Sequence, residues 1–222
     1  MKYYVINLEK RKDRWELFKS QFSSIDDESL LTRVNGVDFG SGDYIEPVNE
    51  RAGCSAAHRD AITLGLLSGE DQFTVFEDDI FFYDHTTSLI SKCLNSLKNN
   101  NWDLLYWGCA PREEGVENPL EKTKESFLLK VMCAGTAHAI TYNRDFASRY
   151  VKDFPDSNDK SSWINWTLAN VCHDIHLRKY QKEGNSYMPN KLCACQYNGH
   201  SDIDGLASPR QDIIEKQFDI YK

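Results

Sequence analysis

The sequence has no excess of positive charge and no long apolar run. Its 222 residues include 26 Lys and Arg against 34 Asp and Glu, which gives a formal net charge of −8. Because an acidic chain has no general attraction for a phosphate backbone, nucleic-acid binding through bulk charge is excluded. No apolar stretch approaches the roughly 20 residues of a membrane span. Residues 3–8 are also too short for the core of a signal peptide.

Cysteine is present but shows no paired arrangement. The seven cysteines are an odd number, and they are scattered through apolar stretches. This pattern is typical of free buried thiols in a reducing compartment, so we expect a cytoplasmic protein. Repeats and linker-like segments are absent. The length predicts one domain, residues 1–222, that buries a core without disulfides.

Strand and helix patterns alternate along the chain. Apolar runs predict buried strands at 3–6, 32–34, 73–76, 104–107, 137–142 and 192–197. Helical periodicity predicts helices from residue 13 and at 55–68, 86–97, 144–152 and 163–177. This alternation predicts an open α/β sheet in a single domain.

Three features of the sequence are not explained by the alternation of strands and helices. Residues 111–124 are charged and break the pattern, so we expect a flexible loop there that is suited to act as a lid. Residues 198–222 are expected to form a polar tail that ends in a small helix. The second half is rich in aromatic side chains, for which core packing is the favoured role and an acceptor groove the alternative: Trp102, Trp107, Trp163, Trp166 and Tyr187.

Three carboxylates, Glu77, Asp78 and Asp79, directly follow the strand predicted at 73–76, and we call them the acidic triplet. Their mutual repulsion is relieved if a divalent cation binds between them, and oxygen ligands suit Mg²⁺ or Mn²⁺. Ligands of open α/β sheets bind beyond the carboxyl ends of the strands, which is the position of the triplet. The alternative is a solvated acidic turn, but the flanking apolar runs favour a metal site.

A cation at the acidic triplet would also explain how an acidic protein binds an anionic nucleotide. The metal would bridge the diphosphate, and Arg11 and Arg14 at the first strand-to-helix junction would add positive charge. Simple surface solvation is the alternative role of these two arginines.

Several short segments, in a fixed order over nearly the whole chain, match a known family as a set. They are Val5-Ile6-Asn7-Leu8 with Arg11 and Arg14, Arg33-Val34-Asn35-Gly36-Val37-Asp38, Gly53-Cys54 with His58, Val75-Phe76-Glu77-Asp78-Asp79, Gly135-Thr136-Ala137, and Pro189 and Cys195-Gln196 before Ser201-Asp202-Ile203. The set resembles glycosyltransferase family 25, which comprises bacterial lipooligosaccharide galactosyltransferases and related collagen-modifying enzymes.

The resemblance implies a GT-A-type, Rossmann-like fold, a UDP-sugar donor and Mn²⁺ (or Mg²⁺) as cofactor. Residues 1–110 would form the nucleotide-sugar and metal half, and residues 111–222 the acceptor half with the tail. The implied reaction moves a hexose, galactose or glucose, to a glycan hydroxyl with inversion, as in lipopolysaccharide biosynthesis. A lipooligosaccharide acceptor would bring this cytoplasmic protein into peripheral contact with the inner face of a membrane.

The resemblance also assigns site residues. Asp78, Asp79 and His200 would hold the metal, although plain surface exposure is the alternative for His200. The residues expected to bind the nucleotide sugar are Asn7, Leu8, Arg11, Arg14, Asp38, His58, Glu77 and Asp78.

The expected general base is not at its usual position. Members of the family commonly carry Pro-x-Asp at the start of a late helix, whereas the best match here is Trp163-Ile164-Asn165. We therefore predict that Asp159 from the preceding loop accepts the acceptor proton, with Asp156 as the alternative. A partly desolvated carboxylate with a raised pKa would suit this task. A second departure is Ala57, where the family usually has Ser before the matching His58.

Three other functions stay open at this point. The missing carboxylate favours a nucleotide-sugar-binding protein without catalysis. A phosphoesterase would need a second metal cluster, which the sequence does not show. A zinc protein is the third alternative, although a Cys-x-Cys in a strand also suits a plain core; its ligands would come from Cys172, His173, His176, Cys193 and Cys195.

Overall fold

The chain folds around a mixed β-sheet that takes strands from both halves of the sequence. The computed structural model describes residues 1–40, 47–200 and 207–221, without the side chains of residues 200, 207 and 208. The strands are β1 (Lys2–Asn7), β2 (Leu31–Asn35), β3 (Gln72–Glu77), β4 (Ile80–Phe82), β5 (Leu104–Tyr106), β6 (Ala110–Pro111), β7 (Leu120–Lys122), β8 (Leu128–Val131), β9 (Ala134–Gly135), β10 (Ala139–Asn143), β11 (Ser186–Pro189), β12 (Ala194–Gln196), β13 (Gly199–His200) and β14 (Ala207–Ser208). The α-helices are α1 (Lys12–Phe22), α2 (Val48–Leu67), α3 (Thr86–Leu97), α4 (Arg144–Tyr150), α5 (Lys160–Asn170), α6 (His173–Gln181) and α7 (Arg210–Tyr221), with short 3-10 turns at Glu28–Leu30 and Val151–Asp153.

Eight of the described strands form the main sheet in the order β2-β1-β3-β10-β5-β11-β8-β7. Strand β1 pairs in parallel with β2 and β3, β11 pairs in parallel with β5, and β10 lies antiparallel between β3 and β5. Strand β8 is antiparallel to both β11 and β7, so six strands of this sheet run one way and two the other. The predicted α/β class with an open, Rossmann-like sheet is confirmed.

Apolar side chains cover both faces of the sheet, which explains why the central strands are continuous apolar runs. Because successive side chains of a strand point to opposite faces, Tyr3 and Val5 pack with Phe18 of α1 on one side. Tyr4 belongs to the core on the opposite side, together with Ile62 of α2. Helices on both faces thus hold β1, β2 and β3 so that their carboxyl ends meet at one edge.

Two predicted helices differ from the observed ones. Helix α2 begins at Val48 rather than at residue 55, because the glycine at position 53 weakens the helical signal of the segment before it. The helix predicted at 163–177 is divided into α5 and α6. The break lies at Val171, whose φ of +70° is in the left-handed region that a β-branched residue rarely adopts. As a result, α6 has an N-terminus of its own at His173.

The second half of the chain contains more strand than predicted. The segment 111–124 is not one loop, because β7 forms an edge strand of the main sheet within it. Strands β8 and β11 were not predicted, since runs of four residues carry little periodic signal. The tail is also more structured than expected: Ile214 and Phe218 of α7 are buried in the core.

The remaining expectations concern the buried tryptophans, the two halves of the chain and membrane-spanning helices. Trp102, Trp107, Trp163 and Trp166 are buried, in agreement with their favoured core role. The main sheet takes four strands from residues 1–110 and four from residues 111–222. The division of function between these halves stays a prediction. Among the described residues, no helix combines the length and the apolarity needed to cross a membrane.

Candidate functional site

A cleft opens at the edge of the sheet where β1, β2 and β3 end. Leu8 follows β1, the segment 36–39 follows β2, and the acidic triplet lies at the end of β3, with Glu77 as the last residue of the strand. All of them line the cleft. Gln196 of β12 and Arg210 of α7 also line the cleft. The cleft therefore lies where the topology of an open α/β sheet places a ligand.

Two glycines allow the walls of the cleft to come close together. A Cβ atom on Gly53 would lie 2.2 Å from the carbonyl oxygen of Val37, so α2 can pack against the loop after β2 only without a side chain there. A Cβ atom on Gly36 would lie 2.8 Å from Leu8 Cδ2. The Gly36 amide donates to the Asn7 carbonyl oxygen at 2.9 Å, which ties the two loops together.

Asp78 points toward β1 and α1. It accepts a hydrogen bond from the Asn7 amide and one from Arg14 at 3.2 Å. Asn7 is itself fixed, because it donates to the Arg11 carbonyl oxygen at 2.9 Å and accepts from Arg33 Nε at 2.9 Å. Burial raises the pKa of Asp78, and the contacts from Asn7 and Arg14 offset this only in part.

Glu77 and Asp79 share one hydrogen-bond donor from β12. The Gln196 amide nitrogen lies 3.0 Å from Glu77 Oε2 and 3.2 Å from Asp79 Oδ1. Burial and the charge of Glu77 raise the pKa of Asp79 to about 6, although Arg14 lies 3.7 Å away. Burial is the largest single influence on the pKa of Glu77 and acts to raise it, but the hydrogen bond with His58, at 3.2 Å, and the charges of His58, His138 and Arg210 together outweigh burial, so the net pKa is lowered.

The donor set of the acidic triplet fits a hard divalent cation. Asp79 is a largely buried carboxylate, and its raised pKa means that the surrounding cationic and neutral donors do not fully compensate its charge. Asp78 approaches the same Arg14 guanidinium, so the two carboxylates face a common part of the cleft. Carboxylate oxygens are the ligands that Mg²⁺ and Mn²⁺ prefer. Lys10, Arg14 and Arg210 line the same cleft and provide positive charge for an anion.

A second part of the cleft continues from Glu77 toward α6 and contains a carboxylate that the sequence analysis missed. Asp174 lines it, one residue after the start of α6. The carboxylate accepts from the backbone amides of Thr136 and Ile175, each at 2.9 Å, and from Cys172 Sγ at 2.7 Å. Thr136 has a φ of +65°, a backbone conformation that costs energy and often occurs at functional sites. The position of Asp174 matches the carboxylate expected at the start of a late helix.

Asp159 caps the N-terminus of α5 instead of lining the cleft. Its carboxylate accepts from the Ser162 amide at 2.9 Å and from the hydroxyls of Ser157 and Ser162. These hydrogen bonds lower the pKa of Asp159 to about 2. A solvent-exposed, strongly acidic capping residue has a structural role and is a weak proton acceptor. Asp159 is absent from the described residues that line the cleft, so its catalytic role stays a prediction that the geometry does not favour.

The remaining predicted residues lie at different places. Leu8 and Asp38 line the main cleft, and Asp38 forms an exposed ion pair with Lys10 at 2.9 Å. Arg11 lies near the outer opening, where it pairs with Asp13 at 2.9 Å. His58 is fully buried beneath Glu77. The side chain of His200 lies outside the described part of the structure.

The cysteines and histidines proposed for a zinc site are not brought together. His176 pairs with Asp153 at 3.0 Å, and Cys193 and Cys195 are buried in separate parts of the core. Within the described ranges, the one group of three His, Cys, Asp or Glu side chains with metal-binding spacing is a different one: Cys54, His58 and Glu77.

Comparison with known proteins supports the fold only. No known protein family matches the sequence, and no curated protein matches it. A197 from STIV has a TM-score of 0.50 at 10% identity, with 89% of this chain and 86% of that chain covered, which shows a shared fold. Two looser similarities are to a glycosyltransferase involved in glycosylation of the major capsid of PBCV-1 (TM-score 0.41, 9% identity, 97% of both chains) and to a putative glucose-1-phosphate thymidylyltransferase from Bacillus anthracis (TM-score 0.43, 12% identity, 87% and 69%).

Proposed function

We propose that the chain is a metal-dependent glycosyltransferase that moves a hexose from a UDP-sugar to a hydroxyl of a glycan acceptor with inversion. The observation that carries this proposal is the acidic triplet at the carboxyl end of β3, in a cleft that also contains Lys10, Arg14 and Arg210. A carboxylate cluster in which the charge of Asp79 is incompletely compensated, together with cationic side chains in the same cleft, suits a ligand that combines a divalent cation with a diphosphate.

In this proposal Asp79 and Asp78 hold the cation, which is Mn²⁺ or Mg²⁺. When bound, the metal supplies positive charge that stabilises the departing diphosphate. The protein contributes the orientation of its ligands: Gln196 holds Asp79, while Asn7 and Arg14 hold Asp78. His200 would complete the metal ligands, as the resemblance to family 25 implies.

The donor binds in the main cleft. Arg14 and Arg210 take the diphosphate, because both line the cleft close to Asp78 and Asp79. The loops after β1 and β2, with Leu8 and Asp38, surround the nucleoside. In an open α/β sheet, ligands bind beyond the carboxyl ends of the strands, where these loops lie.

Asp174 replaces Asp159 as the proposed general base. Its carboxylate lies in the part of the cleft beyond Glu77, where an acceptor hydroxyl would approach the sugar from the side opposite the leaving group. Asp174 Oδ2 accepts the Thr136 amide and keeps a lone pair for the acceptor proton. An acceptor that binds there makes single displacement with inversion the natural outcome.

A nucleotide-sugar-binding protein without catalysis is the second candidate function. Its main support was the absence of a carboxylate at the start of a late helix. Asp174 now occupies such a position within the cleft, which favours the enzyme. A glycan acceptor such as lipooligosaccharide, with peripheral contact to a membrane, is proposed on the resemblance alone.

The proposal is tested by screening UDP-sugars for thermal stabilisation with and without Mn²⁺. One donor should raise the melting temperature only when Mn²⁺ is present. The same donor should then release UDP when a panel of glycan acceptors is added. The control is Asp71→Asn, which removes an exposed acid just before β3 and should preserve the response, whereas Asp79→Asn should abolish it. Stabilisation by no donor, or equal stabilisation without metal, would overturn the proposal.

A further inference from the structure

Cys54, His58 and Glu77 form a compact group at the base of the cleft. Cys54 and His58 are four residues apart on α2 and so share one face of the helix. One potential ligand atom from each of the three residues lies within 4.8 Å of the other two. Among the described residues, no other three such side chains are grouped in this way. The group lies where α2 crosses the end of β3.

His58 provides a second, independent observation. Its side chain is fully buried, and its Nδ1 atom has no hydrogen-bond partner among the described residues. Buried polar atoms are paired in the large majority of cases, so an unpaired ring nitrogen needs an explanation. The other ring nitrogen, Nε2, lies 3.2 Å from Glu77 Oε1. The imidazole is therefore held beside the Glu77 carboxylate, and it retains a nitrogen atom that can bind a metal.

A metal held by these three residues would have a fourth coordination position open toward the cleft. His173 stacks on His58 with ring centroids 4.1 Å apart, but the hydroxyls of Tyr142 and Tyr150 engage its two ring nitrogens at 3.2 and 2.8 Å. It therefore cannot supply a fourth ligand. Cys54 and His58 both line the part of the cleft that extends toward α6, so a fourth ligand would come from the cleft.

We propose that Cys54, His58 and Glu77 bind a thiophilic divalent cation of the Zn²⁺ class, with three protein ligands and a fourth position open to the cleft. A thiolate and an imidazole select Zn²⁺ over Mg²⁺ or Mn²⁺, so this site is chemically distinct from the carboxylates of Asp78 and Asp79. Binding forms a metal–sulfur bond and releases the Cys54 thiol proton to solvent, without any change of oxidation state.

The geometry requires only a small adjustment. Tetrahedral zinc with bonds of about 2.0 to 2.3 Å separates its ligand atoms by about 3.5 Å. Atoms now within 4.8 Å of one another thus need to close by little more than 1 Å, which rotation of the Cys54 and Glu77 side chains supplies. Since Glu77 would turn toward the metal, its hydrogen bond with Gln196 would weaken.

Cobalt is the probe that tests this site, because Co²⁺ bound to a thiolate has a charge-transfer band in the near ultraviolet and Co²⁺ bound only to oxygen does not. Titration of the metal-free full chain with Co²⁺ should give this band at one equivalent, and Zn²⁺ should remove it. Cys54→Ser should abolish the band and weaken Zn²⁺ binding at least about tenfold. Cys93→Ser, a buried thiol of α3 outside the group, should leave the band unchanged.

Absence of the band in the wild-type chain, or its persistence in Cys54→Ser, would overturn the proposal. If Cys54→Ser fails to fold, alkylation of the wild-type chain decides: Zn²⁺ should protect Cys54 from iodoacetamide, and unchanged labelling would reject the site. The proposed glycosyltransferase function is tested separately, since these measurements contain no nucleotide sugar. Asp79→Asn should keep the cobalt band while it loses the Mn²⁺-dependent response to UDP-sugars.

Discussion

The side-chain amide of Gln196 lies 3.2 Å from Asp79 Oδ1, and it is a neutral donor that Asp79 shares with Glu77. The pairing of β12 with β4 places it there, because Gln196 is opposite Ile80, the residue that follows the acidic triplet. A shared neutral donor stabilises two buried carboxylates less than a cation would. Burial and the charge of Glu77 therefore still raise the pKa of Asp79 to about 6, although the hydrogen bond from Gln196 acts to lower it. The acidic triplet thus retains negative charge that a bound cation would compensate.

The first prediction concerns Asp79→Asn in the metal-free protein. Folded Asp79 keeps its proton up to a pH of about 6, whereas an unfolded Asp loses it near pH 4. Between these values the folded state binds more protons, so wild-type stability falls as the pH rises. Asp79→Asn lacks this loss and should be the more stable protein at pH 7, by up to about 3 kcal/mol at 1.36 kcal/mol per pKa unit.

Urea unfolding at pH 4.5 and pH 7 in the presence of a chelator measures this difference. The advantage of Asp79→Asn should shrink toward the lower pH and should reverse at pH 7 when Mn²⁺ is added. A difference that does not change with pH would show that the charge of Asp79 is well compensated without metal. Asp71→Asn, in an exposed position, serves as the control.

The second prediction concerns Gln196→Met, which keeps the length of the side chain and removes the shared donor. Glu77 and Asp79 both lose a hydrogen bond, so the metal-free chain should lose about 1–3 kcal/mol of stability at pH 7. The loss should be smaller at pH 5, because a protonated Asp79 repels Glu77 less. Equal losses at the two pH values, followed by urea unfolding, would contradict this.

The third prediction concerns Arg14→Gln. Arg14 contacts Asp78 and Asp79 and lines the cleft, so its loss should weaken UDP binding in the presence of Mn²⁺ by about 10- to 100-fold, or about 1.4–3 kcal/mol. Calorimetry with UDP measures the effect. Lys19→Gln on the same helix removes a cation that pairs with Glu16 and should leave the affinity unchanged. Equal effects of the two substitutions would mean that only the net charge of α1 matters.

The fourth prediction separates the two carboxylates considered as general base. Asp174→Asn should reduce transfer about 10²- to 10⁴-fold and preserve UDP-sugar binding, because it removes proton acceptance without a change in shape. Asp159→Asn should retain transfer and change stability little, since it alters only the cap of α5 and Asn is also a good N-cap residue. Turnover and thermal unfolding of both variants measure this. The opposite ranking in turnover would restore Asp159 as the base.

The fifth prediction concerns Gly53→Ala. The added methyl group would meet the Val37 carbonyl oxygen at 2.2 Å, so α2 and the loop after β2 must move apart. We expect a loss of about 1–3 kcal/mol in stability and weaker UDP binding, because segment 36–39 lines the cleft. Unfolding and calorimetric titration measure both effects. Gly69→Ala is the control for an added methyl group without a clash, because no atom lies within 4 Å of the added carbon. Since Gly69 has a φ of +80°, this substitution should lower stability but leave UDP binding unchanged.

The first half of the fold could be predicted because its elements carry strong local signals. The strands at β1 and β3 are apolar runs that are buried on both faces, and the acidic triplet follows one of them directly. Topology then places Asn7, Leu8 and the acidic triplet at one edge of the sheet. The resemblance to family 25 depends on the same segments.

The second half of the site could not be predicted from local patterns. Nothing in the periodicity of 163–177 indicates the left-handed conformation of Val171, which separates α5 from α6 and gives Asp174 its place near a helix N-terminus. The contact of Gln196 with the acidic triplet arises from strand pairing between distant segments. The spacing of Cys54 and His58 was visible in the sequence, but their approach to Glu77 depends on how α2 packs against β3.

Calorimetric titration of UDP into the metal-free chain, with and without Mn²⁺, tests the central claim most directly. If the acidic triplet holds a cation that contributes to diphosphate binding, Mn²⁺ should tighten UDP binding at least about tenfold, which is about 1.4 kcal/mol. The same titration of Asp79→Asn should show no dependence on Mn²⁺. Equal affinity of the wild-type chain for UDP with and without metal would contradict the account.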